Sequence, residues 1–103
     1  MNIVLCKLVT GEEVLGELVA ENDEKLILKN PVQVATVKDT RGNPSVGFAP
    51  FPTFHEEKEG RTIDLLQIHI VYSYIPADDF RKNYEQVFGV GLILPGQQQI
   101  ITG

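Results

Sequence analysis

The sequence predicts a small, mostly-β domain: a strongly bent antiparallel sheet of five to six strands with one C-terminal helix. Short runs of alternating apolar and polar residues, punctuated by Gly, Asn and Asp, fill the chain as far as Ile75. Gly16 lies on the apolar side of one such run, where a missing side chain lets a strand bend sharply or meet a neighbouring backbone closely. After Pro76 the apolar spacing changes to that of a helix.

In residues 3–9, Val4, Cys6 and Leu8 share one face of a strand, and Thr10-Gly11-Glu12 forms the turn that follows. Residues 13–21 alternate next. Val14, Gly16, Leu18 and Ala20 face one way; Glu13, Glu17 and Glu21 face the other, with Leu15 and Val19. That pattern predicts a half-buried strand with a solvated side. Asn22-Asp23-Glu24 is a turn. Residues 25–37 are a third extended run in which Leu26, Leu28, Val32 and Val34 keep one parity. Pro31 lacks an N–H and pushes Asn30 away from helix, so a kink or edge position is expected there.

Residues 38–44, with Asp39, Gly42, Asn43 and Pro44, predict a hairpin loop, and the Pro- and Phe-rich residues 45–54 an extended segment. A charged loop over 55–60 leads to the β-branched and aromatic run 62–75, which is one bent strand or two. Phe80, Tyr84, Val87 and Phe88 then mark a helix over about 77–88 with one buried face. Asp78 and Asp79 suit its N-terminus and Gly89 its stop. The expected organisation is one barrel-and-helix domain over 1–88 and a tail over 89–103, in which Leu92–Leu94 form a short docking strand.

A chain of 103 residues holds one compact domain and buries roughly 60–70% of its unfolded surface. Nine Lys and Arg against fourteen Asp and Glu leave a formal charge of −5. A protein whose main task is to grip phosphates usually leans the other way, so nucleic-acid binding would need a local patch. The single cysteine, Cys6, sits in an apolar run and reads as a buried small hydrophobe; there is no disulfide framework. No signal-like segment precedes Lys7 and no apolar tract approaches membrane-spanning length, from which a cytoplasmic location and no membrane partner are expected.

No constellation for catalysis assembles, and the chain is read as a non-enzyme without cofactor or metal. His55-Glu56-Glu57 lacks a second histidine at helical spacing and reads as a solvated loop. Gly89-Val90-Gly91 lacks the third glycine and the lysine of a phosphate cradle. Asp78 and Asp79 are adjacent and diverge on a helix, where they match the helix dipole. Phe48, Phe51 and Phe54 with Pro50 and Pro52 are either a base-stacking platform or core plus a protected edge. Tyr72 and Tyr74 share a strand face suited to core or to a subunit interface.

The segment Gly11-Glu12-Glu13-Val14-Leu15-Gly16-Glu17-Leu18 resembles the first signature of the Sm-like family: a glycine turn, a second glycine five residues on, and an apolar residue two beyond that. Leu26-Ile27-Leu28-Lys29-Asn30 resembles the third strand of the bacterial Sm-like RNA chaperones. His69-Ile70-Val71-Tyr72-Ser73-Tyr74-Ile75-Pro76 is similar to their last strand, which follows a histidine and ends at a proline. About 60 residues carry the resemblance, which extends to Sm-like proteins of viruses infecting cyanobacteria. It implies a small Sm-like barrel whose edges pair between copies into a homo-oligomeric ring, working in the cytoplasm, that of the host if the protein is viral.

The resemblance also implies single-stranded RNA as a partner, the ring acting as a chaperone or regulator of transcripts. Asn22, Asp23 and His69 would line the pore-side turns, Asn22 bonding a base edge and His69 donating or stacking, with Lys25 on phosphate. The chain departs from the family in that turn. No aromatic precedes Asn22, Leu26 takes the usual Asn place, and the Arg-Gly pair before the last strand is absent. The helix follows the strands where the family helix precedes them, and the region 39–60 is long. Plain turn chemistry for Asn22 and Asp23, and a satisfied strand histidine for His69, are the competing expectations. With Glu21, Asp23 and Glu24 opposing phosphate, the alternative is a ring that holds a protein partner and no RNA.

Overall fold

The computed structural model describes residues 2–56 and 58–88. The expected tail over 89–103, with its Leu92–Leu94 strand and Gly89 helix stop, lies outside the described residues. The elements run β1 (Ile3–Leu8), β2 (Glu13–Glu21), β3 (Lys25–Lys38), β4 (Pro44–Pro50), β5 (Thr62–Leu66), a 3₁₀ turn (Gln67–His69), β6 (Ile70–Tyr74) and α1 (Asp78–Phe88). The run 62–75 is therefore two strands broken by a tight turn. The sheet has six strands and every pair in it is antiparallel.

β3 organises the sheet. Its first half pairs with β5, Lys25 opposite Leu66 and Lys29 opposite Thr62; its second half pairs with β4, Val32 opposite Pro50 and Lys38 opposite Pro44. Between the halves Asn30 takes φ +50°, a left-handed conformation that Asn tolerates better than most residues, and Pro31 follows. This is the kink that the proline predicts. Opposite it, the β2–β3 register skips between Leu15 and Glu17, at Gly16. A Cβ on Gly16 would stand 3.1 Å from Leu28 Cβ and 3.2 Å from the Lys29 carbonyl, so the glycine permits the close approach at the bend.

The strand order is β4-β3-β2-β1-β6, with β5 beside the first half of β3. Among the described residues β5 and β6 are not paired with each other, so the bent sheet stays open along that seam.

The alternation of β1 is buried on both faces. Cys6 and Leu8 pack with Val14, Leu26, Leu28 and Leu65 on one side. Ile3 and Leu5 pack with Leu15, Val32, Phe48 and Tyr84 on the other, under α1. Leu15, placed by its parity on a solvated side, is fully buried. The cause is α1, whose Tyr84 and Val87 are buried and whose Phe80 and Phe88 pack against the same cluster. Val19, further along the same side, stays exposed. Burying Leu15 contributes about 1.5–3 kcal/mol. Tyr84 meets Phe48 edge-on at 6.5 Å and Phe88 at 4.9 Å. Among the described residues no helix is long and apolar enough to cross a membrane.

Candidate functional site

Two regions concentrate polar or apolar groups at the surface, and they adjoin each other at the β5–β6 connection. The first is a cluster of turns. The Asn22 side-chain oxygen accepts the backbone N–H of Glu24 at 2.8 Å and of Lys25 at 2.9 Å, and its own N–H donates to the Lys25 carbonyl at 2.9 Å. That is an Asx turn, which closes the β2–β3 hairpin. Gln67 binds this hairpin from the 3₁₀ turn. Its Nε2 donates to Glu21 Oε2 and to the Asn22 carbonyl, each at 3.0 Å, and its N–H donates to the Glu24 carbonyl at 2.9 Å.

Of the four residues singled out in the sequence, Asn22 and Lys25 belong to this cluster through Gln67 and Asp64. Lys25 Nζ lies 3.0 Å from Asp64 Oδ2 on β5, both side chains about half exposed. Asp23 is exposed at the tip of the same turn. His69 is also exposed, but its carbonyl accepts the Val9 N–H at 2.8 Å and ties it to the end of β1 rather than to Asn22. The cluster thus carries four carboxylates, Glu21, Asp23, Glu24 and Asp64, and one lysine, which pairs with Asp64. Its best-placed acceptor and its one cation are both engaged internally.

Gln67 and Asp64 were not singled out from the sequence. A signal for Gln67 exists: a polar residue inside the apolar run Leu65-Leu66-Gln67-Ile68 must find partners or solvent. Asp64 has no comparable local signal, because its partner is 39 residues away.

The second region is the outer edges of β5 and β6; β4, paired with β3 alone, ends the other branch of the sheet. β5, β6, the turn that joins them and the residue after β6 present Leu66, Ile68, Val71, Tyr72, Tyr74 and Ile75 to solvent, Ile68 at 79% and Ile75 at 70% exposure. Tyr72 and Tyr74 lie with ring centroids 5.8 Å apart on the face of β6 that adjoins Lys7 and Leu5. Partial burial and the nearby Glu13 push the Tyr74 phenol above its ordinary range. A sheet edge with unpaired backbone groups and large exposed apolar residues is a template for pairing with another chain.

The aromatic run is divided by its environment. Phe48 is buried, Phe51 packs part-buried against the core, and Phe54 is 97% exposed. A shallow cleft of about 250 Å³ lies beside it, lined by Pro52, His55, Lys58, Arg61 and Thr62 among others. The Arg61 guanidinium donates to the carbonyls of Phe51 and Pro31, at 2.9 Å each, and so braces this loop against the β3 kink. Among the described residues no three His, Cys, Asp or Glu side chains are grouped to hold a metal ion. No protein-family profile and no curated protein matches the chain.

Proposed function

We propose that this chain is the subunit of an Sm-like homo-oligomeric ring, closed by pairing β5 of one copy with β6 of the next. The observation that carries the reading is the pair of open edges, joined by one tight turn and lined with exposed Leu, Ile, Val and Tyr. A heterologous contact of this kind closes into a ring when its rotation permits. The run of pairings β5-β3-β2-β1-β6, with β4 beside the second half of β3 and a glycine-permitted bend opposite Asn30, supports the Sm-like resemblance read from Gly11, Gly16 and the segment 69–76.

The ring acts as a scaffold for a protein partner. The turn cluster favours this over phosphate recognition, since Glu21, Asp23 and Glu24 share the hairpin with a lysine already paired with Asp64. Light scattering on the purified chain tests the assembly. One species of several copies is expected at micromolar concentration, and Val71→Lys or Leu66→Lys is expected to dissociate it without unfolding it. A wild-type monomer at that concentration rejects the ring.

The contact of Gln67 with Asn22 favours a second reading. It brings the β2–β3 turn and the approach to β6 together, the two places where the resemblance locates a base of single-stranded RNA. Fluorescence anisotropy with a labelled U-rich RNA at two salt concentrations decides between them. Tight, salt-sensitive binding that weakens in His69→Ala supports the RNA ring; no binding at either salt supports the scaffold.

A further inference from the structure

Phe54 is the most exposed large apolar residue of the described chain, and it is displayed by a loop whose base is anchored. The Asn30 side-chain oxygen accepts the Gly60 N–H at 3.0 Å, the Asn30 N–H donates to the Arg61 carbonyl at 2.8 Å, and Arg61 braces Phe51 and Pro31. Within the loop the His55 N–H donates to the Pro52 carbonyl at 3.2 Å. Gly60 and Arg61, the anchored base of the loop, lead into Thr62, the first residue of β5. Tyr74, 45% exposed, ends β6, and Ile75, 70% exposed, follows it. Both halves of an apolar contact therefore stand uncovered on one chain, each at the end of an open edge.

Every strand pair in this sheet is antiparallel, and antiparallel pairs predominate generally. Antiparallel pairing of β5 with β6 of a second copy sets the Thr62 end of one strand against the Tyr74–Ile75 end of the other. We propose that Phe54 packs on Tyr74 and Ile75 of the neighbouring copy and extends the subunit interface beyond the paired strands. This rests on the ring reading above. The occupant is a second copy because the complementary apolar groups fall at matching ends of the two edges. A buried aromatic anchor of this kind carries a large share of an interface's binding energy.

Disulfide trapping tests the contact. In a Cys6→Ala background, Phe54→Cys combined with Ile75→Cys is expected to give a ladder of covalent multimers on mild oxidation, while Arg41→Cys with Ile75→Cys gives none. Phe54→Ser is expected to raise the concentration at which the assembly half-dissociates about tenfold, with no change in circular dichroism. Intact assembly in which the Phe54/Ile75 pair links no faster than the Arg41/Ile75 pair, or in which Phe54→Ser dissociates as the wild type does, overturns the contact and leaves the ring standing. A wild-type monomer overturns both.

Discussion

The Tyr84 hydroxyl lies 2.8 Å from the carbonyl of Asn30 and 2.9 Å from that of Lys29, so the helix is fastened to the strand at its one left-handed residue. Asn30 falls outside the register of β3 with β2, β4 and β5, and α1 brings a buried donor to its carbonyl. Burial beneath the helix pushes the Tyr84 phenol well above its ordinary range, which keeps the proton on the oxygen that donates. Tyr84→Phe removes the hydrogen bonds and keeps the packing. It is expected to lower unfolding stability by about 1–2 kcal/mol, and Tyr84→Ala, which also opens a cavity, by about 3–5 kcal/mol. Urea denaturation followed by circular dichroism measures both, and equal losses for the two variants would rule out the packing share.

Asn30 supplies the same bend with two separable things, a tolerated φ of +50° and a side-chain bond to the Gly60 N–H. Asn30→Gly keeps the backbone freedom and loses the bond, at about 1 kcal/mol. Asn30→Ala loses the bond and adds a left-handed penalty of about 1–2 kcal/mol. The order wild type, Gly, Ala in melting temperature is the expected result. An alanine variant more stable than the glycine one contradicts it.

Gly16 faces the bend from β2. Its missing side chain is bounded by the Leu28 Cβ and the Lys29 carbonyl, and the carbonyl belongs to a strand held on its other side by β5. Neither neighbour can move without shifting main chain. Gly16→Ala is expected to destabilise by about 1–3 kcal/mol, measured in the same denaturant series, and a stabilised variant would mean the strand yields.

The strands, their turns and the buried stripe of α1 were legible in the sequence because each is set by periodicity within a dozen residues. Pro31 announced the kink, and Gly16 the close approach. The burial of Leu15 was not legible, since its parity matched Glu13 and Glu17 and only the return of α1, far along the chain, covers it. The site was less legible than the fold. Asn22 proved to be a turn residue, as its neighbours Asp23 and Glu24 allow, whereas Gln67 and Asp64 act through partners that only the bent sheet brings near.

Cys6 is fully buried, and desolvation, with a smaller contribution from Glu21, pushes its thiol up to about 11. The unfolded chain therefore loses this proton first. Above the ordinary thiol range the folded state binds more protons than the unfolded one, so stability falls as pH rises. The contribution is fully present below about pH 8.5 and is lost toward pH 11; the raised Tyr84 acts in the same direction at higher pH. Native protein at pH 8 is expected to resist iodoacetamide for hours and to react in denaturant, read by intact mass. Rapid native alkylation would show that the core opens around β1.

Lys25 and Asp64 link the β2–β3 hairpin to β5 across an exposed ion pair. Both side chains are about half in water, so the pair stabilises the fold by no more than about 1 kcal/mol. Its larger consequence is electrostatic: it cancels the only cation of a turn that also carries Glu21, Asp23 and Glu24. Asp64→Asn removes one carboxylate and frees Lys25 with little change in stability. In the RNA reading this variant binds a labelled oligonucleotide several-fold more tightly at low salt, and the gain disappears as salt rises. In the scaffold reading neither protein binds. Reduced affinity in Asp64→Asn would mean that the pair positions Lys25 for the ligand instead of masking it.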